Sequence, residues 1–347
     1  MTAFAPIAPT APSAPTVAVR IAEPADLAAI AAFVAGHPDA TPFHLPGWLA
    51  AVERGCGQAG RYLLAERGGR IVGLLPLTAM RSLLFGSALV SSGFAVGGGV
   101  LGEGAEALAE AAWMLAEAEG FPSVELRGGP VPAGWQRREG VYFGFARDIP
   151  EGEEAILEAI PRKQRAEVRR ALGSGLEMSV GRDVEAHYLV YAESVRNLGT
   201  PVFPRALFEA ALDALDADIL TVSHEGEPLA SVLSLYFRGV VYPYWGGGTK
   251  AARAARANEL MYFALMRHAR QRGCARFDFG RSKAGTGAFA FKKNWGFEPT
   301  PLVYAVKGEG RETNPLSPQY RLQVAAWKTL PLWLANRLGP PIARGLG

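Results

Sequence analysis

Hydrophobic and polar positions along this chain alternate between a period of two and a period near 3.6, and they do so twice in the same order. In the first half, Tyr62-Leu63-Leu64-Ala65, a Gly68-Gly69 turn and Ile71 to Leu77 predict strand, tight turn and strand. A Gly97-Gly98-Gly99 run follows. Leu108, Ala111, Ala112, Leu115 and Ala116 then fall at helical spacing within Ala105 to Glu119, Gly120 stops the helix, and Val124 to Arg127 resumes as strand. In the second half, Ile219 to His224, a Gly226 turn and Pro228 to Phe237 predict the same hairpin. Val240 to Trp245 and Gly246-Gly247-Gly248 come next. Asn258 is placed to cap a helix with Leu260, Met261, Ala264 and Leu265 on one face, and Gly273 ends it before the strand Phe277-Asp278-Phe279.

The two halves keep a common offset: 273 − 120 = 153 for the helix-ending glycines and 278 − 125 = 153 for the acids of the strands that follow. Four features in one order predict a duplicated unit. The fold class expected is α/β (α+β), two tandem domains, each a mixed sheet flanked by helices. Hairpin, glycine turn, helix and strand resemble the heart of the GNAT acyltransferase fold, in which the helix N-terminus and its preceding loop bind donor phosphates. The usual loop there resembles Gln/Arg-x-x-Gly-x-Gly/Ala. Its nearest match is Arg253-Ala254-Ala255-Arg256-Ala257, with Arg256 in place of a glycine, where a side chain would crowd a pyrophosphate. Arg253, Arg256 and Asn258 are the candidate donor-binding residues.

At 347 residues the chain suits two domains. We expect residues 1–17 to be an Ala/Pro tail, 18–147 the first domain, 148–308 the second, and 309–347 a linker and amphipathic arm. The tail lacks a basic start and a continuous apolar core, so it does not read as a signal peptide. The formal charge of +3 is mild, and anion binding would have to come from local clusters. Two cysteines, Cys56 and Cys274, and five scattered histidines predict neither a disulfide framework nor a metal site; a reducing, cytoplasmic location fits.

Two basic clusters carry the candidate chemistry. Arg281, Lys283 and Lys292 gather beyond the strand Phe277–Phe279 among glycines that let backbone approach a ligand. They suit an anionic acyl donor or a developing oxyanion, and equally a solvated basic loop. Pro161 to Leu172 reads as a helix on which Arg162, Lys163, Arg165, Arg169 and Arg170 spread over an arc of about 160°, with Val168, Ala171 and Leu172 facing the other way. That is a phosphate-binding surface or an ordinary solvated face.

These residues resemble the Fem-type aminoacyltransferases, tandem GNAT-like proteins that join amino acids to peptidoglycan precursors. The resemblance rests on Arg165 to Ala171, Phe277-Asp278-Phe279-Gly280, and Gly287 through Phe291-Lys292 to Trp295-Gly296. More narrowly, Asn197 to Phe203, Tyr242-Pro243-Tyr244-Trp245-Gly246-Gly247 and Ala335 to Pro340 look like the FemAB-like branch found with PEP-CTERM/exosortase and exopolysaccharide systems. The resemblance implies catalysis by Lys292 of the Phe291-Lys292 pair, with Asp278 beside it and Arg165 on the diphosphate of the acceptor. Lys292 would stabilise the oxyanion. Arg169, Trp48, Tyr244, Trp245, Arg281 and Lys283 complete the substrate-binding set. The Phe-Lys segment reads as extended, so Phe291 anchors in the core while the Lys292 amine reaches the cleft, and Lys292 and Lys293 point to opposite sides.

No tightly bound cofactor is expected; the donor would be a co-substrate, aminoacyl-tRNA or acyl-CoA. The acceptor would be a diphosphate-linked sugar or peptide in cell-envelope or exopolysaccharide synthesis. The rival readings are an acetyl-CoA-dependent amino-sugar N-acetyltransferase and a degenerate, non-catalytic adaptor. Sequence-specific nucleic-acid binding is not expected, because the basic helix lacks interleaved aromatics. The arm, Tyr320 to Leu338, mixes leucines and tryptophans with basic residues and is interrupted by Pro331. It reads as helices packed on the domains or as an interfacial element on the inner membrane face.

Overall fold

The computed structural model describes residues 17–311 and 320–347, so the expected Ala/Pro tail and most of the polar linker lie outside the described residues. The first half runs β1 (Ala18–Ile21), α1 (Leu27–Gly36), α2 (Pro46–Cys56), β2 (Gly60–Arg67), β3 (Arg70–Ser82), β4 (Gly86–Ser91), β5 (Leu101–Gly102), α3 (Ala105–Ala118), β6 (Ser123–Arg127), β7 (Gln136–Arg138) and β8 (Tyr142–Asp148). The second runs α4 (Glu153–Glu158), α5 (Arg162–Leu172), β9 (Glu177–Gly181), α6 (Val184–Leu198), α7 (Arg205–Ala214), β10 (Ala217–His224), β11 (Glu227–Phe237), β12 (Val240–Gly248), α8 (Lys250–Ala255), α9 (Ala257–Gln271), β13 (Arg276–Lys283), α10 (Gly287–Asn294), β14 (Pro299–Pro301) and β15 (Tyr304–Gly308). The arm forms α11 (Arg321–Thr329) and α12 (Leu332–Ala343).

Two mixed sheets result, with corresponding orders β1-β2-β3-β4-β6-β15-β7 and β9-β10-β11-β12-β13-β8-β14. They exchange one strand each. β15, from the end of the second half, lies between β6 and β7, and β8 lies between β13 and β14. The division of the sheets therefore does not follow the expected cut at residue 147. Local hydrophobic period places a strand but not its partner, and both exchanged strands pair with chain far away in sequence.

The repeat extends to single hydrogen bonds. After α3, Phe121 N–H donates to Ala116 O at 2.8 Å; after α9, Cys274 N–H donates to Ala269 O at 2.8 Å, at the same offset of 153. Gly120 and Gly273 take φ of 72° and 83°, the left-handed conformation that ends a helix by this bond. The glycine runs, by contrast, are not equivalent. Gly246–Gly248 continues β12 and pairs with β11, whereas Gly97–Gly99 lies in the loop beyond β4.

Each sheet buries one face under its own helices: α3 covers Leu89, Val124 and Leu126, and α9 covers Val232, Val241 and Phe277. The other faces meet across a shared core in which Tyr62 and Val90 of the first sheet and Leu233 and Trp245 of the second are joined through α1, α2, α6 and α7. One continuous core of this kind makes the halves stand or fall together. Two local expectations are corrected. Asn258 does not cap α9: Arg256 at φ 60° holds the cap position, because Thr249 starts an extra turn, α8, just before it. Leu172 is 43% exposed at the end of α5, so only Val168 and Ala171 of the three expected apolar residues are buried.

The arm packs on the protein. Pro331 separates its two helices, and Ala335, Gly339 and Ala343, four residues apart on α12, are buried. Gln58 Nε2 donates to Arg344 O at 2.8 Å. Among the described residues no helix is long and apolar enough to cross a membrane.

Candidate active site

β12 and β13 run parallel for only two registered pairs, Val240 with Arg276 and Val241 with Phe277, before they part. β12 bulges at Tyr244, and β13 bulges between Asp278 and Arg281 where Gly280 takes φ 67°. Bulges re-aim side chains and end pairing, so the strands open instead of closing their ladder. The first sheet opens likewise after Leu89 with Val124 and Val90 with Glu125. The openings face one another across a cavity of about 320 Å³, lined from the first half by Phe43, Val96, Gly97, Gly128 and Gly129, and from the second by Tyr242, Tyr244, Asp278, Gly280 and Tyr304.

Hydrogen bonds lock the walls together. Tyr244 OH donates to Phe94 O at 2.6 Å, and Tyr304 OH donates to Val96 O at 3.1 Å. Arg281 donates to Tyr304 OH at 2.7 Å, and its guanidinium lies 4.7 Å from the centre of the Tyr142 ring.

Asp278 is the acid of this cavity. Burial pushes its carboxyl above the usual carboxylate range, more strongly than the Gly280 N–H and the charges of Lys292 and Arg276 draw it down. The Gly280 N–H reaches it at 2.9 Å, and among the described residues no cation forms an ion pair with it. Glu125 occupies the corresponding position in the first sheet with the opposite outcome. Burial there is outweighed by Arg127, whose Nε lies 2.7 Å from Glu125 Oε1, together with the charges of Arg281 and Arg138, and the carboxyl is held below its ordinary value. The difference lies two residues on: 280 − 127 = 153, so Gly280 stands where the first half has its arginine.

Lys292 is placed behind Asp278. It is 8% exposed, and its Nζ donates to Arg281 O at 2.9 Å and Gly280 O at 3.3 Å. Burial lowers its pKa to about 7, with Asp278 pulling it up and Arg281 pushing it down. So engaged, the amine supports the bulge, and Lys292 is not among the residues that line the cavity. The expected extended Phe-Lys segment is instead α10, because the Thr286 side chain accepts the Phe289 N–H and starts a helix. On that helix Lys292 is the buried residue and Lys293 is exposed, while Phe291 packs against Tyr262 and Trp295 with ring centres 5.7 and 6.1 Å away.

The remaining predicted residues fall into two groups. Tyr244 lines the cavity. Trp48 and Trp245 stack behind it, 1% and 4% exposed, and form its support rather than its surface. Lys283 follows at the end of β13, opposite Tyr142. The others are not among the residues that line the cavity: Arg165 and Arg169 lie on α5, Arg253 on α8, and Arg256 and Asn258 at the start of α9, against which α5 packs. There Arg256 pairs with Glu167, which also pairs with Arg170 at 2.8 Å, and Arg165 Nε donates to Ile160 O at 3.1 Å. Arg256 takes the left-handed conformation that a glycine would take and turns its side chain toward α5. Asn258 packs under Gly248, where a Cβ would come 2.6 Å from its Oδ1. Sequence reasoning missed Tyr242, Tyr304 and the Gly128-Gly129 edge, which only the pairing of the halves brings to the cavity.

Residues 162–293 match the model of the acetyltransferase (GNAT) domain. The fold is similar to the crystal structure of FemX, with 17% identity, a TM-score of 0.63, and 80% of this chain and 95% of that one covered. It is also similar to the C-terminal domain (DUF2156) of a putative lysylphosphatidylglycerol synthetase from Agrobacterium fabrum (12%, TM-score 0.54, 82% and 92% covered) and to the tandem GNAT protein from the clavulanic acid biosynthesis pathway (13%, TM-score 0.53, 85% and 100% covered). No curated protein matches the chain. The match lies within the second half of the chain and makes that half an acyltransferase domain of the GNAT type. The likeness to these structures is one of fold: two mixed sheets flanked by helices, arranged as in FemX and the tandem GNAT protein.

Proposed function

We propose that the chain transfers an aminoacyl or acyl group to an amine in the cavity between its two sheets, with Asp278 as the general base. The observation that carries this reading is the unpaired, partly accessible Asp278 at the position where the first half neutralises its acid with an arginine. A carboxyl held above its usual range in a cleft is suited to taking a proton at the moment of reaction. The amine nitrogen attacks the carbonyl carbon of an activated ester or thioester. A C–N bond forms, the amine proton passes to the Asp278 carboxylate, and the C–O or C–S bond to the carrier breaks. That proton then returns to the leaving alkoxide or thiolate, so no covalent enzyme intermediate is needed. Lys292 acts through the backbone: it holds the Gly280 bulge and lies close enough to influence the charge of Asp278.

In this reading the donor is a co-substrate, aminoacyl-tRNA or acyl-CoA, whose phosphates lie at the basic group of Arg165, Arg169, Arg253 and Arg256, a use of Arg165 and Arg169 different from the acceptor role the resemblance implies. The acceptor is an amine on a diphosphate-linked sugar or peptide of envelope or exopolysaccharide synthesis, a reading supported by the motif resemblance alone. The test is mass analysis of N-acyl products from these two donor classes and such acceptors. Wild-type protein should form product, and Asp278→Asn should lose about 10²–10⁴ in rate with an unchanged melting temperature, the range for general base catalysis. Full turnover in Asp278→Asn would remove the base assignment. An absence of product with every donor, together with no bound small molecule in the purified protein, would favour the adaptor reading.

A further inference from the structure

Hairpin tips are ordinarily polar, because nothing packs on them. The tip between β3 and β4 instead presents Leu83 at 107% and Leu84 at 66% exposure. It is built firmly: the Ser82 hydroxyl accepts the N–H groups of Leu84 and Phe85 at 3.3 and 3.2 Å. The tip also adjoins both ends of the arm. The Phe85 ring meets Tyr320 edge to face at 6.2 Å, and a Cβ on Gly345 would come 2.8 Å from the Ser82 Cβ.

Between those two ends the arm exposes large apolar side chains of its own. Leu322 on α11 is 83% exposed, and Trp333 and Leu338 on α12 are 69% and 42% exposed, while Ala335, Gly339 and Ala343 face the protein. The arm's charge has one sign: Tyr320 to Gly347 contains Arg321, Lys328, Arg337 and Arg344 and no acid. An apolar surface of this kind, with a tryptophan and a uniformly basic setting, has the chemistry of a membrane interface.

We propose that the Leu83-Leu84 tip and the outward sides of α11 and α12 form one docking face for an anionic lipid bilayer. The leucines enter the acyl boundary, Trp333 sits at headgroup level, and the four basic residues meet the anionic headgroups. The inference does not depend on the reading of the cavity. It explains why an arm that packs on the protein through small residues keeps Leu322, Trp333 and Leu338 in solvent.

The test is co-sedimentation of the full chain with two kinds of vesicle, phosphatidylcholine alone and equal parts phosphatidylcholine and phosphatidylglycerol. The mixed vesicles should retain the protein, the neutral ones should not, and added salt should release it. A triple variant, Leu83→Ser, Leu84→Ser and Trp333→Ser, should keep its melting temperature and lose about tenfold or more in partitioning. Failure of the wild type to bind, or equal retention of the triple variant, would overturn the proposal. So would a wild-type dimer in light scattering that the same substitutions dissociate, since the face would then be covered by a second copy.

Discussion

The Glu125 carboxylate of the first sheet and the Asp278 carboxylate of the second stand at equivalent places on equivalent strands, each beside a parallel pair that parts. Their neighbours two residues on decide what they become. Arg127 reaches Glu125 at 2.7 Å and then Ala95 O at 3.1 Å, which spends the acid on tying a strand to a loop. Gly280 offers Asp278 only a backbone N–H and, by taking φ 67°, bends the strand away from its neighbour. One half of the repeat has a structural ion pair where the other has a poised acid and an open wall. A duplicated unit can thus carry one site, with the second copy supplying the opposite wall and a common core.

The strongest way to break this comparison is to neutralise each acid in turn. Asp278→Asn should cost about 10²–10⁴ in rate and little stability. Glu125→Gln should do the reverse, because it leaves the buried Arg127 without its charged partner, a loss of about 1–3 kcal/mol in stability with turnover of the folded protein nearly unchanged. Denaturant melts and initial rates on both variants check it. Similar behaviour of the two would mean that the acids do equivalent work.

A sharper version transplants the difference. In Gly280→Arg, an added Cβ meets only Val96 Cγ2 at 3.9 Å, so there is room for a side chain, and the cost is the left-handed backbone, about 1–2 kcal/mol. The new guanidinium should pair with Asp278 as Arg127 pairs with Glu125, hold it ionised and fill the cavity. Activity should fall by about 10² or more, and the carboxyl titration of Asp278, followed by NMR, should move down. An active Gly280→Arg enzyme would show that the reaction uses neither this acid nor this space.

The third contrast concerns Lys292 and Lys293, adjacent on α10. Lys292→Ala should lose about 10–10³ in rate, since the bulge that aims Asp278 loses its support, while the exposed Lys293→Ala should lose almost none. Stability supplies a pH signature. The folded-state pKa of Lys292, about 7, lies below its ordinary 10.5. Between those values the unfolded chain holds a proton that the folded chain has released, so stability rises with pH through this window and the burial penalty is fully present below it. Lys292→Met removes that slope. The melting temperature of the wild type relative to Lys292→Met should therefore climb from about pH 7 toward pH 10. A constant difference would mean that the amine is charged throughout.

These contrasts also show what the sequence made legible. Both hairpins, α3, α5, α9 and the helix-ending glycines were readable because each is set by neighbours within a few residues. The common offset was readable for the same reason, and it held to single hydrogen bonds at Phe121 and Cys274. The exchange of β8 and β15 was not, since strand partners are chosen by packing across the whole chain. The segment at Phe291-Lys292 is a helix and not the extended chain expected, because the Thr286 side chain caps it. Lys292 looked accessible for that reason. The state of Asp278 was within reach: Glu125-Leu126-Arg127 against Asp278-Phe279-Gly280 shows the missing arginine, but its meaning depends on burial that only the fold displays.

The smallest effect tests the sameness on which the others rest. Gly120 and Gly273 both take positive φ at the end of a helix, and a Cβ on either would meet nothing within 4 Å. Alanine at these positions therefore costs only the left-handed backbone, about 1 kcal/mol, with no packing loss to confuse it. If the halves are equivalent here, Gly120→Ala and Gly273→Ala should lower stability by equal amounts within about 0.5 kcal/mol, and the double variant should show the sum, since the sites share no partner. Neither should change turnover beyond the folded fraction. A much larger cost at Gly273 would show that the second half, although built on the same geometry, has the backbone leading into the strand of Asp278 under tighter constraint than the first half has at Gly120.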